Sequence, residues 1–267
     1  MELGLSNRTA LVTGSTAGIG RAIAQELLRE GATVVVNGRD PGRTRQAAEE
    51  LAAGSRGRAI AVAGDVATAD GARAFLAQLA RQSPPVDVLV NNAGVFEPKP
   101  FADIADEEWL SMFETNVVSG IRLARALAPG MVERGHGRIV FVSSESGLSI
   151  PEEMIHYGVS KTAQLAVTRG LAKTLRGTGV TVNAVLPGPT WTEGVAEFVA
   201  KMAAQEGVSV DAMRETFVPR HRPGSLIRRF ADPAEVAAMV AYAVSDRASA
   251  TTGAALKVEG GLIDSIG

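Results

Sequence analysis

The sequence predicts a doubly wound α/β fold, with a mostly parallel, seven-stranded sheet and helices on both faces. Three observations predict it. Short runs rich in Val, Ile and Leu recur along the chain and are apolar throughout, as strands covered on both faces require. Stretches of helical length and period separate them. A glycine-rich turn, Gly14 to Gly20, joins the first strand to the first helix. Strands alternating with helices build parallel sheets, because the chain must cross over before it can pair in the same direction.

In chain order, Thr9 to Thr13 reads as a buried strand, and residues 19–30 as a helix with Ile19, Ile23, Leu27 and Leu28 on one side. Thr33 to Val36 is a second strand, closed by Asn37-Gly38. Residues 42–53 are helical, Arg58 to Val62 a strand, 69–81 helical, and Val86 to Val90 a fourth strand. One long helical pattern runs over about 107–133. Arg138 to Val142 is a strand, 154–176 a long helix, Val180 to Leu186 a sixth strand and Ala255 to Val258 a last one. The irregular stretch is 187–231, with Pro187, Pro189, Pro219 and Pro223 around two short helical patterns. A connection this long inside a domain is more often functional than idle, and it reads as a substrate lid.

Composition narrows the function classes. The 267 residues suit a single domain spanning 1–267, and 46 % hydrophobic content supports a large core. There is no cysteine, which excludes disulfides and thiolate chemistry, and the three histidines lack metal-ligand spacing, so no metal site is expected. A net charge of −2 argues against a nucleic-acid partner. No apolar run is long enough to span a membrane, and the first residues do not read as a signal peptide, so a cytoplasmic location is the expectation.

The glycine turn carries the first functional signal. Gly14 allows the tight turn, Gly18 lets the backbone approach a phosphate, and Gly20 allows close packing. The helix that follows offers free N–H groups and a positive dipole end to a pyrophosphate. At the end of the second strand, the acidic residue that would bind a ribose 2′-hydroxyl is absent. Asn37-Gly38-Arg39 stands there, and a guanidinium suits a 2′-phosphate. Tyr157 and Lys161, spaced i, i+4, share a helix face, and a nearby ammonium is expected to lower the phenol's pKa. Ser144 follows the fifth strand and Asn91-Asn92-Ala-Gly94 the fourth, at the carboxyl ends where such sheets bind ligands. Asn116 falls inside the long helix, where an asparagine wants a partner.

These motifs, in this order, resemble the single-domain short-chain dehydrogenase/reductase family, with a likeness to 3-oxoacyl-carrier-protein reductases. The set is Thr13-Gly-x-x-x-Gly-Ile-Gly20, Asp65-Val66, Asn91-Asn-Ala-Gly94, Asn116, Ser144, Tyr157-x-x-x-Lys161, Pro187-Gly188 with Thr192, and Val258-Glu-Gly-Gly261. The resemblance covers nearly the whole chain and implies a Rossmann fold, an NADP cofactor (NAD being possible) and hydride transfer to or from a small-molecule ketone or secondary alcohol. It implies that Tyr157 is the general acid/base, that Lys161 binds the nicotinamide ribose, that Ser144 orients the substrate oxygen and that Asn116 holds a relay water. The implied cofactor contacts are Gly14, Thr16, Gly18, Ile19, Gly20, Arg39, Asp65, Val66, Asn92, Gly94, Tyr157, Lys161, Gly188 and Thr192. Arg39 matches the family's NADP pattern, whereas Ala17 stands where some NADP members carry a basic residue. The family also implies a homo-oligomer, a tetramer by analogy. Leu165, Val167 and Leu171 on the 154–176 helix are compatible with that.

On the substrate side, Trp191, Val195, Phe198, Val199 and Met202 form one stripe and Met213 and Phe217 another, suited to line a pocket or to pack the lid. Phe96 and Phe101 are further candidates for the pocket wall. Glu145, Glu152 and Glu153 read as solvated or helix-capping carboxylates, with attraction of a cationic substrate as the sharper alternative. His156, a helix neighbour of Tyr157, points away from it. Arg214, Arg220, Arg222, Arg228 and Arg229 read as a solvated basic loop, with a phosphorylated or carrier-bound substrate as the alternative. Two competing functions suit the same sequence. One is a non-catalytic dinucleotide-binding sensor or scaffold of the same fold. The other is a same-fold enzyme that epimerises or dehydrates.

Overall fold

The computed structural model describes residues 2–266. Seven strands form one sheet: β1 (Thr9–Val12), β2 (Thr33–Val36), β3 (Arg58–Ala61), β4 (Val88–Asn91), β5 (Gly137–Val142), β6 (Val180–Pro187) and β7 (Ala255–Val258). Their spatial order is β3-β2-β1-β4-β5-β6-β7, and every pair is parallel. The strand order therefore reverses between β1 and β4, the switch point where such sheets open a crevice.

Two apolar layers explain why the strands read as continuous hydrophobic runs. Val12, Val34, Val36, Val88, Val90, Val140 and Val142 face one layer, against α1 (Gly18–Arg29), α2 (Pro41–Ala52) and α9 (Pro233–Val244). The alternate residues Leu11, Val35, Leu89, Ile139 and Phe141 face the other. There they meet α3 (Ala69–Gln82), α5 (Ser119–Glu133) and α6 (Ile155–Thr174). A two-residue side-chain period with both faces covered leaves few positions for polar residues. Each fully buried Val, Leu or Ile contributes about 1.5–3 kcal/mol.

Two stretches depart from the sequence reading. The pattern at 107–133 is two helices, α4 (Asp106–Phe113) and α5, joined through a wider turn at Glu114–Val118. Ser119 N–H bonds to Glu114 C=O, five residues back, so one residue is accommodated without breaking the rod. Helix α9 lies where the sequence reading assigned nothing. Its signal was present, since Asp232 accepts from Ala234 N–H, Glu235 reaches back to Asp232 N–H, and Pro233 opens the first turn. On α6, Val167 and Leu171 pack against the chain's own core, so they carry no argument for an oligomer.

Residues 187–231 hold α7 (Glu193–Glu206) and α8 (Val210–His221). Gly207, at φ 68°, ends α7, and Ser209 caps α8 by accepting from Ala212 N–H. This cap has its own small core of Val199, Ala203, Met213, Val218 and Phe230.

Polar side chains fasten the switch point. Asn37, 2 % exposed, donates to Val62 C=O and Gly64 C=O at 3.2 Å each and accepts from Gly14 N–H at 3.4 Å. One carboxamide thus ties the glycine turn to the chain leaving β3. Asn37→Ala removes both donors and leaves buried carbonyls unpaired, a loss of about 2–3 kcal/mol. Denaturant titration of the variant is expected to show a lower midpoint with an unchanged m-value.

Candidate active site

The glycine turn is shaped as expected. Gly14 and Gly18 have φ of 61° and 55°, values that glycine adopts without strain. A Cβ on Gly20 would lie 2.4 Å from both Asn92 Nδ2 and Gly14 O, so the third glycine keeps the turn closed on the end of β4. The Asn92 carboxamide donates to Thr13 O at 2.9 Å and Gly14 O at 3.1 Å. Its side chain therefore braces the turn, while the residue as a whole still lines the cleft. Gly18 N–H, at the start of α1, donates to Glu193 Oε2 at 3.0 Å. A carboxylate from the first turn of α7 already sits where the free N–H groups of α1 favour an anion.

Arg39 stands exposed at the end of β2 and forms no ion pair among the described residues. A Cβ on Gly38 would lie 2.6 Å from Thr16 Cγ2 and 2.9 Å from Thr44 Oγ1, so an acidic side chain has no room there. Asp65 is half-buried and accepts from Ala67 N–H, and Val66 is buried beside it.

A cleft of about 240 Å³ opens above the carboxyl ends of β4, β5 and β6. It brings together Ile19, Asn92, Gly94, Ser144, Tyr157, Lys161, Gly188 and Thr192, residues scattered over most of the chain. Val195, Phe198, Phe217 and Phe230 supply the cap side and Phe96 the wall beside Tyr157, edge-on at 6.3 Å. The stripe on the cap thus does both expected jobs, since Val199 and Met213 are buried in the cap core while Val195, Phe198 and Phe217 face the cleft. Phe101 does not reach the cleft; it is 63 % exposed and packs edge-on against Trp109. His156 is buried against Trp109 and points away from the cleft, as its helix position dictates.

Lys161 is buried, and its Nζ lies 5.5 Å from the Tyr157 ring centre and donates to Val142 C=O at 3.0 Å. Burial brings its pKa down to about 8, against the opposing pull of Glu145. The lowering of the Tyr157 pKa expected from Lys161 is not found. Burial, and then the negative charge of Glu145, hold the phenol well above its ordinary value, and the hydrogen bond with Ser144 works weakly against them.

Asn116 sits in the wide turn before α5, buried. Its carboxamide accepts from Val95 N–H at 2.8 Å and donates to Val95 C=O at 2.9 Å and Ser160 Oγ at 3.0 Å. Its backbone carbonyl accepts from Gln164 Nε2 at 2.6 Å. The Asn116 carboxamide is thus committed to Val95 and Ser160. It fastens the strand-end loop after β4 to α6, beside Lys161: a Cβ on Gly94 would lie 3.2 Å from Asn116 Oδ1 and 3.6 Å from Lys161 Nζ.

Two site residues were misjudged or missed in the sequence. Glu145 is neither solvated nor exposed; it is 6 % exposed, lines the cleft and accepts from the Ser144 hydroxyl. Arg222, just after α8, faces it across the cleft, with Nε 3.6 Å from Glu145 Oε1 and Nη2 3.1 Å from Glu153 Oε1. This positive charge removes the motive for a cationic substrate. The other cap arginines lie at the surface, and among the described residues Arg228 forms no ion pair. Arg220 pairs with Glu206, Arg229 with Glu235, and Arg214 lies over the Trp191 ring at 4.3 Å. The basic surface that would suit a carrier protein is thus neutralised at Arg220 and Arg229.

Comparison with known proteins agrees with this geometry. The family model for short chain dehydrogenase matches residues 8–210, and the chain belongs to that family of oxidoreductases, which act on CH–OH and C=O groups. The uncharacterized oxidoreductase YvrD of Bacillus subtilis is 43 % identical over 266 residues, covering 100 % of both chains. Among solved structures, L-sorbose reductase from Gluconobacter frateurii, complexed with NADPH and L-sorbose, is similar at a TM-score of 0.95. It shares 32 % identity, with 100 % of each chain covered. A variant of the actinorhodin polyketide ketoreductase with NADPH is similar at a TM-score of 0.87 and 38 % identity, covering 97 % of this chain and 98 % of the other. Among the described residues, no helix is long and apolar enough to cross a membrane and no cluster of His, Cys, Asp and Glu could hold a metal ion.

The sign of the Tyr157 shift is open to direct test. The chain has two tyrosines, so Tyr242→Phe leaves Tyr157 as the only phenol. Followed by absorbance near 295 nm, its ionisation is expected well above pH 10, because the anion is the form that burial and Glu145 disfavour. Adding Glu145→Gln removes the second cause, and the titration is expected to move to lower pH.

Proposed function

We propose that the protein is an NADP(H)-dependent oxidoreductase that moves hydride between the nicotinamide and a ketone or secondary alcohol, with Tyr157 as general acid/base. The observation that carries this reading is the meeting of Ser144, Tyr157 and Lys161 in one cleft whose rim is the glycine turn. The residues present fit a dinucleotide. Gly14, Gly18 and Gly20 leave the backbone bare at the start of α1, and the Glu193 carboxylate on Gly18 N–H stands in for the phosphate charge that those donors favour. Thr16, Ile19, Asp65, Val66, Asn92, Gly94, Gly188 and Thr192 complete the proposed cofactor contacts. The exposed, unpaired Arg39 and the crowded Gly38 favour the 2′-phosphate form over NADH.

When bound, the nicotinamide supplies or accepts the hydride. In reduction, Tyr157 Oη gives its proton to the carbonyl oxygen; in oxidation, which requires the phenolate, it takes the alcohol proton. A phenol held protonated is ready as an acid at neutral pH, and the cleft's low polarity strengthens its bond to the developing alkoxide. Ser144 Oγ orients the same oxygen. Lys161, with a pKa of about 8 and its Nζ 5.5 Å from the Tyr157 ring centre, would bind the nicotinamide ribose. Asn116 positions the strand-end loop and α6 around these groups. The reading includes a homo-oligomer, tetrameric by family analogy. It is consistent with exposed Leu110 (70 %) and Phe113 (40 %) on α4, and light scattering on the purified protein would check it.

Two experiments test the reading. Titration with NADPH and NADH, followed by nucleotide fluorescence, is expected to give tighter NADPH binding. Arg39→Ala should then weaken NADPH by about ten-fold or more and leave NADH unchanged, as loss of a charge-assisted phosphate contact requires. Equal affinities would make Arg39 a bystander. Tyr157→Phe is expected to lower kcat by at least about a hundred-fold while NADPH affinity stays the same. Turnover near wild type would overturn the assignment of the acid.

A further inference from the structure

The Ser144 hydroxyl has one proton, and Glu145 Oε2 takes it at 2.5 Å. The same hydroxyl oxygen accepts from Ser146 N–H at 3.1 Å. A hydroxyl donates to one acceptor at a time. To donate to a substrate carbonyl, Ser144 must turn away from Glu145, and that leaves a buried carboxylate oxygen without its donor. Stranding a buried charged acceptor is costly, so the cleft demands a replacement donor at the moment Ser144 serves the carbonyl.

Among the described residues, Ser144 is the one side chain that donates to Glu145 Oε2. Glu145 is the only carboxylate among them that lines the cleft, and its other oxygen already faces Arg222 at 3.6 Å. Arg222 is held by Glu153 and by its own bond to His221 C=O at 2.7 Å. The donor must therefore arrive with the substrate. The ion pair also decides the substrate's charge, because an anion would compete with Glu145 for Arg222 and a cation would compete with Arg222 for Glu145. A neutral hydroxyl suits both partners, donating to the carboxylate and accepting from the guanidinium.

Building on the oxidoreductase reading above, we propose that Glu145 is a specificity-determining residue that accepts a hydrogen bond from a substrate hydroxyl near the reacting carbon. The preferred substrates are then neutral hydroxylated ketones and the corresponding polyols, rather than simple alkyl ketones. By taking over Glu145, the substrate hydroxyl releases Ser144 to turn toward the carbonyl oxygen.

The test compares ketone pairs in which a hydroxyl replaces a methyl group of similar size. Hydroxyacetone is set against 2-butanone, and 1-hydroxy-2-butanone against 3-pentanone, each reduced with NADPH. In the wild type, kcat/KM is expected to favour the hydroxylated member by on the order of ten- to a hundred-fold. Glu145→Leu should bring that ratio close to one. Glu145→Gln, which keeps an acceptor and is the safer variant for folding, should give an intermediate ratio. A merely structural loss would lower both members and leave their ratio unchanged. Three outcomes overturn the assignment of Glu145: equal kcat/KM in the wild type, a preference that survives Glu145→Leu, and inactivity on both pairs in a protein that reduces other ketones. Failure to oxidise NADPH with any ketone overturns instead the oxidoreductase reading on which the proposal rests.

Discussion

All seven strands run in one direction, so all their carboxyl ends and the turns that follow them lie on one edge of the sheet. The chain leaves β1 for β2 on one side and returns to β4 on the other, so two sets of turns diverge from the switch point. A crevice there is the geometric consequence of parallel pairing and right-handed crossovers. The polar residues that seal its floor are few and each does several things. Thr13 Oγ1 accepts from both Asn92 N–H and Ala93 N–H at 3.0 Å, while Asn37 and Asn92 bind the glycine turn from either side. They replace ladder hydrogen bonds that end where the strands diverge, and so keep the backbone of the turn bare for a ligand.

The second consequence of this edge is electrostatic. Burial under the cap takes Tyr157, Lys161 and Glu145 out of water together. Alone, Tyr157 and Lys161 would each favour the neutral form. In company, Glu145 favours the charged ammonium of Lys161 and disfavours the phenolate of Tyr157. The site is thus built to keep a proton on the phenol. Glu145 carries a larger part of that balance than the spacing of Tyr157 and Lys161 suggests, and Arg222, reaching in from the cap, keeps the buried carboxylate from standing uncompensated.

Much of the fold was legible because buried parallel strands leave a plain signature. Both neighbouring layers are apolar, so Val34, Val35 and Val36 all had to be apolar, and the strands fell within about two residues of their expected places. The helix boundaries were less legible where local rules bend. The wide turn at Glu114–Val118 keeps a helical appearance in sequence while shifting the register of everything after it. Helix α9 carries its start signal in Asp232-Pro-x-Glu235, but that signal follows an irregular stretch rather than a strand.

The sequence by itself determined the order of strands and helices, the bare backbone of the glycine turn and the shared helix face of Tyr157 and Lys161, because each depends on near neighbours in the chain. Spacing in sequence is spacing in space only within one element. The tertiary structure decided what depends on remote residues meeting. It buried Glu145 beside Ser144, brought Arg222 across the cleft to face it, committed the Asn116 carboxamide to Val95 and Ser160, and turned Phe198 and Phe217 toward the cleft while Val199 and Met213 closed the cap. A carboxylate after a serine reads as solvated until the cap that covers it is in place, and only the folded chain places that cap.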